Sequence, residues 1–429
     1  MRDGDSLLYS GVRAQLATDS APLATTMLRS VLAEYRSLRH LHRLLTATRG
    51  SFLPSTVAAL NGARCYLRCR DVGDAGGVLL CAHQPNEVSA GSWFRAQLDT
   101  YGTSRLRWAS VRFDLAEPQA SLRAIRRGGA GQVRRWAAIA RTIDASHDTF
   151  RAIRVAELLA YYERFGRMLD RGGYRVVVTS TYSNPWGIAM NIAARRRGIP
   201  VIHVMHGVAI APVPRLQYDV VVFNDSGSEA VFARAGCRVG QVILKGADVS
   251  DWRMRAPVGQ ITVGLLLSKQ PSPLAVRQWI MQLLARDDVG AVVVRPHPAT
   301  VWRGLAHLVG ALNAPRVCVS NASASDDFAR CDLCVAGNSS VHLDALGAGV
   351  PSVFSPELDE YSTAELPCMR EGLVVQSNGA LLPERASITA FYADESWTRQ
   401  FLAFTNRDRS ASDAGRELCA VVERLVAAR

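Results

Sequence analysis

Residues 332–361 read DLCVAGNSSVHLDALGAGVPSVFSPELDEY. The stretch opens on a short apolar run from Asp332 to Ala336, followed by a small polar turn, Gly337-Asn338-Ser339-Ser340. Beyond the turn, Val341, Leu343, Leu346 and Val350 keep roughly helical spacing as far as Gly347 and Gly349, and Pro351 introduces a new apolar run. The spacing predicts strand, turn, helix, strand, the repeating unit of a parallel α/β sheet. A helix that begins at a serine-rich turn points free backbone N–H groups and its positive dipole end at whatever sits there, most often a phosphate. Ser339 and Ser340 add hydroxyl donors. The simpler alternative is that one of them only caps the helix.

The same alternation extends upstream. Runs at 261–267, 290–294 and 316–319 read as strands, with helices at 274–285 and 301–312 between them. An earlier series reads as strands at 78–82, 106–113, 174–180, 199–205, 218–224 and 241–244. Helices are predicted near 90–100, 184–197 and 226–235, with two more between 119 and 169. The segment DWRMRAPVG at 251–259 separates the two series. The expected fold is therefore α/β, with two Rossmann-like domains facing a cleft (the GT-B architecture) and an N-terminal helical extension. The boundaries drawn are 1–70 for the extension, 71–250 for the first domain, 251–395 for the second and 396–429 for terminal helices, with 71–77 read as a linker.

Composition bounds the function. The chain has 429 residues, 48% of them hydrophobic, enough for more than one core. No apolar run reaches membrane-spanning length, and the first residues lack the apolar centre of a signal peptide, so a cytoplasmic protein is expected. The Arg-rich segment 1–70 is expected to pack on the body or on another copy, with contact at the inner membrane face as the alternative. The net charge is +12, yet only Lys245 and Lys269 are lysines. No stretch interleaves aromatic residues with Arg, and no nucleic-acid-binding spacing occurs, so no nucleic-acid partner is expected. Cys331 and Cys334 have CxxC spacing inside an apolar run, with no second pair, and read as core.

Five strand ends carry the candidate chemistry. Arg295-Pro296-His297-Pro298 ends a buried strand braced by two prolines. There Arg295 offers a fork for phosphate, and His297 offers a donor or an acid. Lys269, in Ser268-Lys269-Gln270, can reach a diphosphate as a point charge. Lys245-Gly246 has similar placement and less support. His206-Gly207 ends a strand of the first domain. His206 suits a general base for an acceptor hydroxyl, and Gly207 permits close approach of substrate. His83 and Glu87, after the first strand, are rival bases. Asp344 lies one helical turn below Ser340, where it could orient the site, contact a ribose, or simply complement the helix dipole. The pairs Asp287-Asp288 and Asp326-Asp327 read as solvated turns, so neither a metal nor a cofactor is expected.

The set His206-Gly207, RPHP at 295–298, GNSSVHLDALGAGVP at 337–351 and ELDEY at 357–361 resembles the CDP-glycerol glycerophosphotransferases and related capsule and teichoic-acid polymerases. The HP and SS pair also resembles bacterial sialyl- and polysialyltransferases. The resemblance spans about residues 174–361, and it differs at Asn338, where a Tyr is common. It implies that His297, Ser339 and Ser340 meet the donor's phosphate or cytidine side and that His206 acts on the acceptor side. The expected activity is transfer of a sugar or polyol-phosphate group from a nucleotide-activated donor to a glycan, lipid-linked or small-molecule hydroxyl in cell-surface glycan synthesis. Arg295, His297, Lys269, Asn338, Ser339 and Ser340 would hold the donor. A non-hydrolysing UDP-sugar 2-epimerase and a non-catalytic scaffold of the same fold are the alternatives.

Overall fold

The computed structural model describes residues 65, 69–73, 76–102, 106–113, 149–210, 213–246, 252–268, 271–297, 304–360, 366–379, 381–407 and 410–428. The helical extension expected over 1–70 therefore lies almost wholly outside the described residues, as do Lys269 and the part up to residue 148 of the two helices expected between 119 and 169. The chain forms two compact units. The first comprises residues up to Asn224, Ser228–Lys245 and Ala411–Arg429; the second comprises Asp225–Gly227 and Gly246–Ser410.

The first unit is built on a seven-stranded sheet in the order β1-β3-β2-β4-β5-β6-β7. Its strands are β1 (Cys69–Gly73), β2 (Val78–Cys81), β3 (Trp108–Phe113), β4 (Val176–Thr179), β5 (Val201–Val204), β6 (Gln217–Phe223) and β7 (Arg238–Leu244). Six run parallel, and β1 pairs antiparallel with β3 at the edge. The glycines and aspartates of 71–77 read as a linker in the sequence, and Cys69 and Arg70 as the end of the helical extension, yet Cys69–Gly73 forms β1. Pairing with the neighbouring strand outweighs weak local propensity there. All four residues of β4 are buried, as expected of a strand covered on both faces. One face carries α1 (Pro85–Tyr101) and α12 (Ala411–Ala427), and the other carries α2 (Thr149–Gly172) and α3 (Pro185–Arg196). In α12, Ala414, Leu418, Val421 and Val422 are buried, a helical stripe that meets Val220, Val222 and Ile243 of the sheet. The final helix thus completes the core of the first unit.

The second unit has a six-stranded parallel sheet in the order β10-β9-β8-β11-β12-β13. These strands are β8 (Ile261–Leu266), β9 (Val289–Arg295), β10 (Val317–Val319), β11 (Leu333–Ala336), β12 (Ser352–Phe354) and β13 (Val375–Gln376). Two residues are too few for β13 to show a period in sequence. The two series of alternating elements are two Rossmann-like units, the composition of a GT-B fold. In each sheet the strand order reverses once, between β2 and β4 in the first and between β8 and β11 in the second. Open α/β sheets take ligands outside the carboxyl ends of the strands at such a reversal.

Candidate functional sites at the two strand reversals

In the first unit the reversal lies between the ends of β2 and β4. His83-Gln84-Pro85 follows β2 and opens α1, where Gln84 and Glu87 form a reciprocal cap. Glu87 is fully buried. Its Oε2 accepts from the backbone N–H of His83 (2.8 Å), the backbone N–H of Gln84 (3.3 Å) and Trp186 Nε1 (3.3 Å), and its Oε1 accepts from Asn184 Nδ2 (3.2 Å). Three donors converge on Oε2 and one on Oε1, so Glu87 acts as a bolt between the start of α1 and α3. His83 packs edge-on against Trp186 at 5.3 Å between ring centroids.

His206 lies just past β5, partly exposed, and its Nδ1 is hydrogen-bonded to the Ser180 carbonyl at the end of β4. A carbonyl can only accept, so Nδ1 carries the proton and Nε2 carries the lone pair. That is the tautomer a general base requires. The Gly207 carbonyl accepts from Asn224 Nδ2 at 3.0 Å, which ties the His206 loop to the end of β6. His203, on β5, is fully buried between Thr179 Oγ1 (3.1 Å) and Met205 Sδ (3.1 Å). Burial, with the nearby His206 and Lys245, pulls it down to about 3, so it is neutral and structural. Lys245, past β7, donates to the Met205 carbonyl at 3.1 Å and lies 4.4 Å from the centre of the Trp93 ring. Burial lowers its ammonium to about 8.

In the second unit, the sheet order places the ends of β9, β8 and β11 side by side. These carry Arg295-Pro296-His297, Ser268 and Gly337–Ser340 respectively. Arg295 and Ala336 both pair with Leu266, and neighbouring strands are about 4.8 Å apart, so the backbones of Arg295 and Ala336 are roughly 10 Å from each other across the sheet. Arg295 does not reach toward the serine turn through its Nη1. That nitrogen donates to Asp327 Oδ2 and to the Ala322 carbonyl, both at 2.6 Å. Asp327 is fully buried and also accepts from Ser320 Oγ (2.7 and 2.8 Å) and Arg330 Nη2 (2.5 Å). Burial pushes its carboxyl up, but Ser320, Arg295 and Arg330 outweigh that and hold it below the usual carboxylate range. The reading of Asp327 as a solvated turn is thus corrected. It anchors α7 (Ala324–Arg330) to the end of β9, whereas Asp326 does cap that helix with Ser323. His297 is partly exposed, two residues past β9.

The serine turn joins β11 to α8 (Val341–Gly347), a helix of only seven residues. Ser339 Oγ accepts from the Val341 N–H at 3.3 Å, and the Ser340 hydroxyl makes no capping bond. Asp344 faces solvent, and Arg407 opposes the rise in its carboxyl that partial desolvation causes. Two residues to which the sequence reading gave no role hold the turn. His342 is fully buried and bonded to the Gly337 carbonyl through Nε2 (2.9 Å) and to Ser352 Oγ through Nδ1 (2.8 Å). Asp359 accepts from the Asn338 N–H through Oδ2 at 2.5 Å and is hydrogen-bonded to Ser268. It thereby bridges the two strand ends at the reversal. The apolar neighbours of His342 could be read from the sequence as a helix face, but nothing in them showed that its partners would be a carbonyl and a serine. Cys331 and Cys334 are both buried beside Gly264 in the core. Among the described residues no three His, Cys, Asp or Glu side chains cluster as metal ligands, and no helix is long and apolar enough to cross a membrane.

No protein-family model matches the chain, and no curated protein matches it. Solved structures do. The calicheamicin glycosyltransferase CalG4 is similar over 82% of this chain and 98% of its own, at 15% identity and a TM-score of 0.49. The putative UDP-N-acetylglucosamine 2-epimerase of Listeria monocytogenes is similar over 81% of this chain and 96% of its own, at 10% identity and a TM-score of 0.48. MurG of Acinetobacter baumannii is similar over 81% and 99%, at 12% identity and a TM-score of 0.43. At such identities and scores the likeness is one of chain architecture and assigns no residue a role.

Proposed function

We propose that the protein is a transferase that uses a nucleotide-activated donor, with the nucleotide held by the second unit and the hydroxyl acceptor by the first. The observation that carries this reading is the position of Gly337–Ser340 at the strand reversal of the second sheet, next to the ends of β8 and β9. Ser339, Ser340 and Asn338 line the donor's phosphate side, with His297 following β9, one strand beyond β8, and Lys269 next to Ser268 in the sequence. Arg295 holds its own loop to α7 and contributes to the phosphate field with the part of its guanidinium that Asp327 and Ala322 do not engage. In the first unit His206 Nε2 takes the proton of the acceptor hydroxyl. The acceptor oxygen then bonds to the transferred group, and the nucleotide leaves with the electron pair on its phosphate oxygen. Donors fixed where that charge develops stabilise the departure. The motif resemblance favours a cytidine-activated donor.

The test is a thermal-shift panel of CMP, CDP, UDP, GDP and TDP with the full chain. A nucleotide that binds only the folded state adds about 2.7 kcal/mol of stability at a hundred times its Kd. One nucleotide should raise the unfolding midpoint saturably, and cytidine nucleotides are expected to do so most. A flat response to all five contradicts the proposal and leaves a non-catalytic scaffold. Incubation of a nucleotide sugar without acceptor separates transfer from epimerisation, because only an epimerase would return an isomer.

A further inference from the structure

The peptide group between Gly337 and Asn338 is held from both ends. Its C=O accepts from His342 Nε2 at 2.9 Å, and its N–H donates to Asp359 Oδ2 at 2.5 Å. A trans peptide sends these two groups in opposite directions, so two partners on opposite sides fix the orientation of its plane. The tautomer follows from the same contacts. The Gly337 carbonyl cannot donate, so His342 Nε2 carries the proton, and Nδ1 accepts the Ser352 hydroxyl proton at 2.8 Å. Ser352 is itself fully buried on β12, so the chain of bonds runs from β12 through α8 to the end of β11. Burial holds His342 neutral, down to about 4, against the pull of the Gly337 carbonyl.

The other side is equally committed. A Cβ on Gly337 would fall 2.5 Å from Asp359 Oδ2 and 2.6 Å from its Cγ and Oδ1, so only glycine lets the carboxylate approach this closely. Asp359 is fixed in turn by its bridge to Pro271 and by the Ser272 N–H bonded to the Leu358 carbonyl, which ties it to the segment after β8. Ser339 and Ser340 follow the pinned peptide directly, so its plane sets where their hydroxyls begin.

We propose that His342 and Asp359 are positioning residues: a two-sided clamp on the Gly337–Asn338 peptide that fixes the serine turn in its ligand-ready orientation. The inference rests on the reading of that turn as the nucleotide site, but the clamp itself can be measured without any ligand. The informative pair is His342→Gln and His342→Asn. Glutamine places an amide where Nε2 lies and can still donate to Gly337, whereas asparagine reaches only the Nδ1 position and can serve Ser352 alone. Hydrogen exchange of the segment 336–341, read by mass spectrometry on the full chain, should be at least tenfold faster in H342N than in wild type. H342Q should stay near the wild-type rate. Denaturant midpoints of both variants identify any global loss of stability. Equal exchange in H342N and H342Q at matched stability overturns the clamp. The tightest nucleotide from the panel should then lose about tenfold in affinity in H342N and little in H342Q. If wild type binds no nucleotide, the proposed function falls, and the exchange comparison still decides the clamp.

Discussion

The two strand reversals solve one structural problem in different ways. In the first unit the carboxylate at the reversal, Glu87, is fully buried and takes two donors from the loop after β2 and two from Asn184 and Trp186 at the start of α3. In the second unit the corresponding carboxylate, Asp359, takes the Asn338 N–H and Ser268, and its Oδ1 is buried with no hydrogen-bond partner among the described residues. Each unit also has a fully buried, neutral histidine behind its loop, His203 in one and His342 in the other. His203 binds two side chains, whereas His342 joins the Ser352 side chain to the Gly337 main chain. The first site is thus fixed around Glu87, which takes donors on both carboxylate oxygens, and presents His206 Nε2. The second is fixed through the Gly337–Asn338 peptide and presents hydroxyls.

This contrast predicts a ranking of effects. Glu87→Ala should be the most damaging change, because it strands several buried donors and removes a helix cap. The expected loss is about 3 kcal/mol in denaturant unfolding, and a loss under about 0.5 kcal/mol would show the network to be incidental. Gly337→Ala should come next, at about 2 kcal/mol, since its Cβ must displace Asp359 or the turn.

The buried histidines give a pH signature. Each binds its proton near 6.5 when unfolded, but only near 3 or 4 when folded. The unfolded chain therefore holds more protons in that window, and stability falls as pH drops from about 6.5 toward 4. The denaturant midpoint should decline over that range in wild type and decline less in H342Q. Lys245 acts at the other end. Its folded value of about 8 lies below the ordinary 10.5, so stability should rise as pH climbs from 8 to 10.5. Lys245→Met, which removes the buried ammonium, should abolish that rise in the denaturant midpoint.

Most of the framework was legible in the sequence because parallel strands buried on both faces leave continuous apolar runs such as Val176-Val177-Val178. Several polar strand ends could also be read, since His206 and the serine turn sit where apolar runs end in polar residues. The commitments of the charged residues could not. Arg295 and Glu87 look like free chemistry in a string of letters, but their partners, Asp327 and Asn184 with Trp186, are distant in sequence. Asp327 looked like half of a solvated pair because its neighbour Asp326 is one. His342 hid inside an apolar helix face, and β1 and β13 were too short or too polar to show a period.

The central claim is that the serine turn of the second unit receives the phosphate of a nucleotide. The direct measurement is the Kd of the tightest nucleotide from the panel for wild type and for the double variant Ser339→Ala, Ser340→Ala. Affinity should fall at least tenfold, about 1.4 kcal/mol, while the ligand-free unfolding midpoint reads separately the loss of the Ser339–Val341 bond. Equal affinity in the two proteins would place the nucleotide elsewhere and contradict the account.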